Sequence, residues 1–201
     1  MLEASVRKKQ GQFTLDVSMS DSGFVCVSGK NGCGKTTFLR IVAGLSKPDS
    51  GTVKIGGRDV TKLSPDRRGA VMVTPASAIA AKEVGAHLVW GAKLKGKQVT
   101  QERLKTIKER LGIDFAGRVG KLSLGMSERV SLATALLSAP SIILVDEAFS
   151  NLHDREDFIE AYKLLAAQAG IDVVFSTQDA ADGDLADHLY LMEEGRVTRK
   201  F

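Results

Sequence analysis

The sequence predicts an α/β fold with an inserted helical lobe, on three grounds. Short apolar runs alternate with helix-patterned stretches at both ends of the chain. The stretch from about Ala76 to Arg118 carries no strand pattern. The run Ile142-Ile-Leu-Val is apolar without a break, as a strand buried in a parallel sheet is.

The length of 201 residues suits one domain, or one domain carrying a lobe. Hydrophobic residues at 43% and charged residues at 26% match globular averages and exclude a disordered chain. The net charge of +4 fits phosphate ligands, acidic lipids or nucleic acid, but its spread along the chain favours no particular partner, and nucleic acid is not expected. Cys26 and Cys33 have no His nearby and do not space as a metal site; a reducing cytosol fits them. The N-terminal residues lack the apolar run of a secretion signal. No apolar run is long enough to span a bilayer, so a membrane role must come through a partner.

The elements follow in order. Phe13-Thr-Leu-Asp-Val-Ser-Met alternates apolar with polar residues, as a half-buried strand does. Phe24-Val-Cys-Val-Ser is a short apolar strand. A glycine-rich turn follows, then a helix from Lys35 to Ala43, stopped by Gly44 and Pro48. Thr52-Val-Lys-Ile is a strand before the Gly56-Gly57 turn, and Ala70 to Thr74 is a strand ended by Pro75. Helices are predicted over Glu83–Leu94 and Thr100–Leu111, with lysine-rich surfaces. Another runs from Ser127 to Leu137 and ends at Pro140. After the Ile142 strand come a helix over Asp154–Ala169, a strand from Ile171 to Ser176, and a terminal hairpin about Gly195. Trp90, the only tryptophan, reads as core rather than as a docking anchor.

The turn before Lys35 carries chemistry. Gly29-Lys30-Asn31-Gly32-Cys33-Gly34-Lys35-Thr36 fits the phosphate-loop pattern G-x-x-x-x-G-K-[ST], and it lies between a strand and a helix as that loop must. Its backbone N–H groups and the helix N-terminus would cradle phosphates. Lys35 would reach the β- and γ-phosphates, Thr36 would place its hydroxyl on magnesium, and Thr37 would bond the α-phosphate. The apolar strand ending in Asp146-Glu147 supplies the other half. Asp146 would hold magnesium, and Glu147 would activate the attacking water.

Two further motifs narrow the choice. Leu122-Ser123-Leu124-Gly125-Met126 stands about twenty residues before Asp146, and Ser150-Asn-Leu-His-Asp follows Glu147. With the phosphate loop and Asp146-Glu147, they make the chain resemble the ABC ATPase family, the nucleotide-binding subunits of ATP-binding cassette transporters. The resemblance runs from about Phe13 to Val197. It implies a phosphate-loop nucleotidase core, with a mostly parallel sheet and an N-terminal antiparallel β region. The core would be residues 1–75 and about 127–201, and the helical subdomain about 76–126. It implies ATP and magnesium as ligands, and a head-to-tail pair with a second cassette, identical or different. ATP would lie between the phosphate loop of one subunit and Ser123 and Gly125 of the other. It also implies transmembrane partner subunits and a place on the cytoplasmic face of the membrane. Nothing else in the sequence selects adenine over guanine.

Several positions depart from the family pattern. Leu124 and Met126 replace a glycine and a glutamine of the usual signature. Ala76 stands after Pro75 where a glutamine touching magnesium and water is usual. Gln178, in Phe175-Ser-Thr-Gln-Asp, takes the place of a histidine that bonds the γ-phosphate. Its amide is a donor of comparable reach but cannot carry charge. Phe13, the one aromatic before the loop, reads as core rather than as a platform for adenine. The expectation is an ATPase subunit with Lys35, Glu147 and Gln178 as its catalytic residues. Ala76 and Gln178 make the reaction slow. Two alternatives stand beside it: a binding-type cassette with little or no turnover, and a cytosolic cassette protein unconnected with transport.

Overall fold

The computed structural model describes residues 1–201, the side chain of Ala180 apart. The chain falls into two units, Met1–Met72 with Ser141–Glu147 and Asp172–Phe201, and Val73–Pro140 with Ala148–Ile171.

The first unit opens with a hairpin. Strands β1 (Leu2–Gln10) and β2 (Phe13–Asp21) pair antiparallel from Leu2 opposite Asp21 to Gln10 opposite Phe13. β1 has no counterpart among the expected elements. Its Leu2, Ala4 and Val6 are buried at alternate positions, but Arg7-Lys-Lys-Gln then breaks the pattern. β4 (Ser50–Ile55) and β5 (Arg58–Asp59) complete a sheet of order β2-β1-β4-β5. The second sheet has the order β10-β9-β3-β8-β7-β6. Its strands are β3 (Phe24–Ser28), β6 (Ala70–Val73), β7 (Ile142–Asp146), β8 (Asp172–Thr177), β9 (His188–Glu193) and β10 (Arg196–Arg199). β7, β8, β3 and β9 run parallel, and β10 turns back along β9 as the expected terminal hairpin. Every residue of β3 and β7 is buried, which is why neither alternates. Helix α1 (Lys35–Ala43) packs Phe38, Ile41 and Val42 into a cluster with Leu15, Val27 and Val53. It ends at Gly44, where the amides of Gly44 and Leu45 bond back to Ile41 and Arg40.

The second unit is helical. α2 (Val84–Leu94) packs on α4 (Leu124–Leu137), with α3 (Gln101–Arg110) beside it; α5 (Arg155–Gln168) follows. α4 starts three residues before its expected position, because the Ser123 side chain caps it by accepting from the Met126 amide at 3.2 Å. Phe149, Phe158 and Tyr162 form an aromatic group, and the Tyr162 hydroxyl donates to the Leu132 carbonyl. Trp90 is not core. It is 36% exposed on α2, with the Lys82 ammonium 5.5 Å from its ring centre.

Candidate functional site

The candidate residues of the first unit lie far apart in sequence and meet because three parallel strands end in register. Ser28 pairs with Thr177 and Asp146 with Ser176, so Gly29, Glu147 and Gln178 leave the sheet along one edge. Ligand sites of open α/β sheets form at such carboxyl ends.

The loop from Gly29 to Gly34 is fixed at several points. The Gly29 amide donates to the Thr177 carbonyl at 3.2 Å, and the Cys33 amide to the Lys30 carbonyl at 3.3 Å. At Gly34 φ is +115°, and an added Cβ would stand 2.8 Å from Leu15 and 3.0 Å from Phe13. Only glycine meets both demands. Phe13 is half-buried and packs against the core cluster beside this loop, as expected of a core residue. Lys30, Asn31 and Gly32 are exposed along the turn, while Cys33 is buried. Burial, with the charge of Asp182 behind it, pushes the Cys26 thiol well above its ordinary range, so that cysteine is a packing residue.

Lys35 is 4% exposed and its ammonium donates to the carbonyls of Gly29 at 2.6 Å and Lys30 at 3.2 Å. The same ammonium stands 3.7 Å from Glu147 Oε1. A buried cation is thus held in the bend of the loop, where an anion would sit. Thr36 Oγ1 donates to Asp146 Oδ1 at 3.1 Å, and Ser176 Oγ donates to the same oxygen at 2.8 Å. Thr37 is half-buried on the next position of α1. Glu147 leaves β7 with φ at +57°, a conformation unusual for a side-chain-bearing residue. That turn places its carboxylate between Lys35 and Gln178, whose amide donates to Glu147 Oε1 at 3.2 Å.

The hydroxyl of Thr36 and the carboxylate of Asp146 are a hard oxygen pair of the kind that suits magnesium. Among the described residues no cluster of three or more His, Cys, Asp or Glu could hold a metal unaided. Magnesium would fit, since it commonly completes its shell from substrate phosphates and water.

Ser123 and Gly125 lie in the second unit at the start of α4, where Ser123 is exposed. Ala76 is exposed after Pro75 and offers only a methyl group. Ser176 escaped the sequence reading, although the polar Ser-Thr ending of an apolar strand was a visible signal. Thr177 Oγ1, next to it, donates to buried Asp182 at 2.5 Å and accepts from the Asp179 amide.

Residues 13–150 match the family model described as ABC transporter. The chain belongs to that family. Among similar proteins is the Fe(3+) ions import ATP-binding protein FbpC of Pasteurella multocida, 36% identical over 195 residues, which cover 92% of this chain and 56% of that one. The molybdate/tungstate import ATP-binding protein WtpC of Archaeoglobus fulgidus is 31% identical over 206 residues, covering 99% of this chain and 86% of that one. A solved dimeric bacterial ABC transporter cassette superposes with a TM-score of 0.81 at 25% identity, covering 99% of this chain and 97% of that one. The cassette described here spans a little over half the length of the first relatives, 56%, 59% and 55%. Among its described residues no helix is long and apolar enough to cross a membrane.

Proposed function

We propose that this ABC cassette binds ATP with magnesium, pairs with a second cassette around it, and hydrolyses it slowly to drive a membrane transporter. One observation supports this above all: Lys35, the Thr36–Asp146 pair, and Glu147 with Gln178 converge on one sheet edge. In this reading Gly29 to Thr37 cradle the phosphates and Lys35 neutralises their charge. Magnesium at Thr36 and Asp146 would screen charge on the phosphates. Glu147 orients a water and takes its proton, and Gln178 steadies the carboxylate and reaches toward the phosphate. Ser123 and Gly125 cap the phosphate bound to the partner subunit. The lobe at about 76–126 would meet transmembrane subunits on the cytoplasmic face of the membrane, and the names of the relatives point to import.

Slow turnover follows from two groups. Ala76 can touch neither metal nor water, and the Gln178 amide cannot take up charge. Each missing preorganised donor costs roughly a hundredfold in rate. The test is phosphate release from ATP by the purified chain and by Glu147→Gln. The variant is expected to lose about a hundredfold or more while still binding ATP. Equal rates above background would remove Glu147 from the chemistry. Ala76 and Gln178 also favour a second reading, a cassette that binds ATP without turnover. Tight ATP binding, with no phosphate release above background from the parent chain, would establish that one.

A further inference from the structure

Helix α4 and the loop that follows Glu147 meet most closely at Asn151. The Asn151 carbonyl oxygen lies 2.7 Å from where a Cβ on Gly125 would stand, so only glycine allows the loop to approach. The Asn151 side-chain amide donates to Glu128 Oε1 at 2.8 Å. Gly125 and Glu128 are three residues apart on one face of α4. The backbone of Asn151 therefore presses on the first turn of the helix while its side chain grips the next. Arg129 ties the far end of the loop by bonding Asp154 and standing 5.0 Å from the Phe158 ring centre.

Glu128 is an expensive way to hold a loop. It is 1% exposed, and its Oε2 has no hydrogen-bond partner, the one buried side-chain atom so left among the described residues. Burial holds its carboxyl above the usual range, against the opposing pull of the Asn151 bond. An unpartnered buried oxygen is destabilising, so stability alone does not account for a glutamate here. Around this contact Ser123, Leu124, Ser150 and Asn151 are exposed, Leu124 at 50% despite being apolar.

We infer that Glu128 and Asn151 form a latch that makes the Ser123–Gly125 turn and the Ser150–Asp154 loop one rigid piece, which a second copy of this chain meets as a unit. Glu128 is a positioning residue and touches no substrate. The latch rests on the ATP-bridged pairing proposed above and adds what holds the paired surface in register.

The experiment uses the full chain in a Glu147→Gln background with Mg-ATP, reading dimer formation by light scattering and ATP affinity by a fluorescent analogue. Asn151→Ala and Glu128→Ala are expected to need about tenfold more protein to dimerise, with the ATP affinity of the dilute monomer unchanged. Glu128→Gln keeps the acceptor oxygen and is expected to dimerise like the parent. Asn151 is exposed, so Asn151→Ala carries the test alone if Glu128→Ala does not fold. The latch is overturned if Asn151→Ala dimerises as readily as the parent, if the dilute monomer also loses ATP affinity, or if Glu128→Gln behaves like Glu128→Ala. A parent that stays monomeric with Mg-ATP overturns the pairing itself, and the latch with it.

Discussion

Gln178 stands 3.2 Å from the carboxylate that would activate water, so its neutrality matters at the atom where charge develops. A histidine there can donate a hydrogen bond and also carry a proton near neutral pH. Gln178→His is therefore expected to raise kcat for ATP hydrolysis by about tenfold or more, with KM little changed, as steady-state phosphate release would show. No rise would mean that the amide already does all that this position can do. Lys35, Thr36, Asp146 and Glu147 were legible because each belongs to a pattern written within a few consecutive residues. The Ser176–Asp146 bond and the Glu128–Asn151 contact were not legible as pairs, because each depends on which strands or loops become neighbours. Trp90 misled for a related reason: its size suggests burial, but only the packing of α2 on α4 decides which of its sides faces out.

Among the elements, α1 matters most to the site because its first residue is Lys35. Its last turn is held by an unlikely group, the 4%-exposed guanidinium of Arg68. Arg68 donates to the carbonyls of Ile41 at 2.8 Å and Val42 at 3.1 Å, and to those of Thr61 at 2.7 Å and Leu63 at 2.9 Å. A cation at the negative end of a helix is favourable, and here it also satisfies carbonyls that the helix leaves open. Arg68→Ala is expected to lower unfolding free energy by about 2–4 kcal/mol, measured as a lower urea midpoint. Arg68→Lys should recover little of this, since one ammonium cannot reproduce the planar fork. An Arg beside another Arg before a glycine gave no sign of this role. The opening strand β1 was hidden likewise, because its outer end is basic and its alternation too short to declare itself.

For the whole molecule, the acid side of the stability curve depends on His87, which is 2% exposed. Its Nε2 accepts from the Ile79 amide at 3.1 Å, which leaves the proton on Nδ1 to donate to Thr134 at 2.8 Å. A second proton would face the Ile79 N–H. Burial lowers the pKa of His87 below the ordinary 6.5, and the charge of Lys82 adds to this. On acidification the unfolded chain takes up the proton first. The stability His87 contributes is present above pH 6.5 and is lost as pH falls through its lower folded value. Melting temperature is thus expected to fall between neutral pH and about pH 5, and His87→Gln to flatten that fall. Asp59 and Asp66, held below 3.8 chiefly by bonds from the Thr61 and Ser64 side chains, act only in stronger acid. Glu128 has the opposite sign, because its raised carboxyl favours the folded state at low pH; comparing parent and variant at each pH cancels it. The terminal hairpin has a reach of its own. The Gly195 amide donates to the Cys33 carbonyl at 2.9 Å, and the Gly195 carbonyl accepts from Asp16 at 2.7 Å. One backbone unit near the end of the chain is therefore a keystone between the opening hairpin and the phosphate cradle. A filter that ranks variants by their distance along the chain from known motifs would pass a damaging change at that turn as harmless.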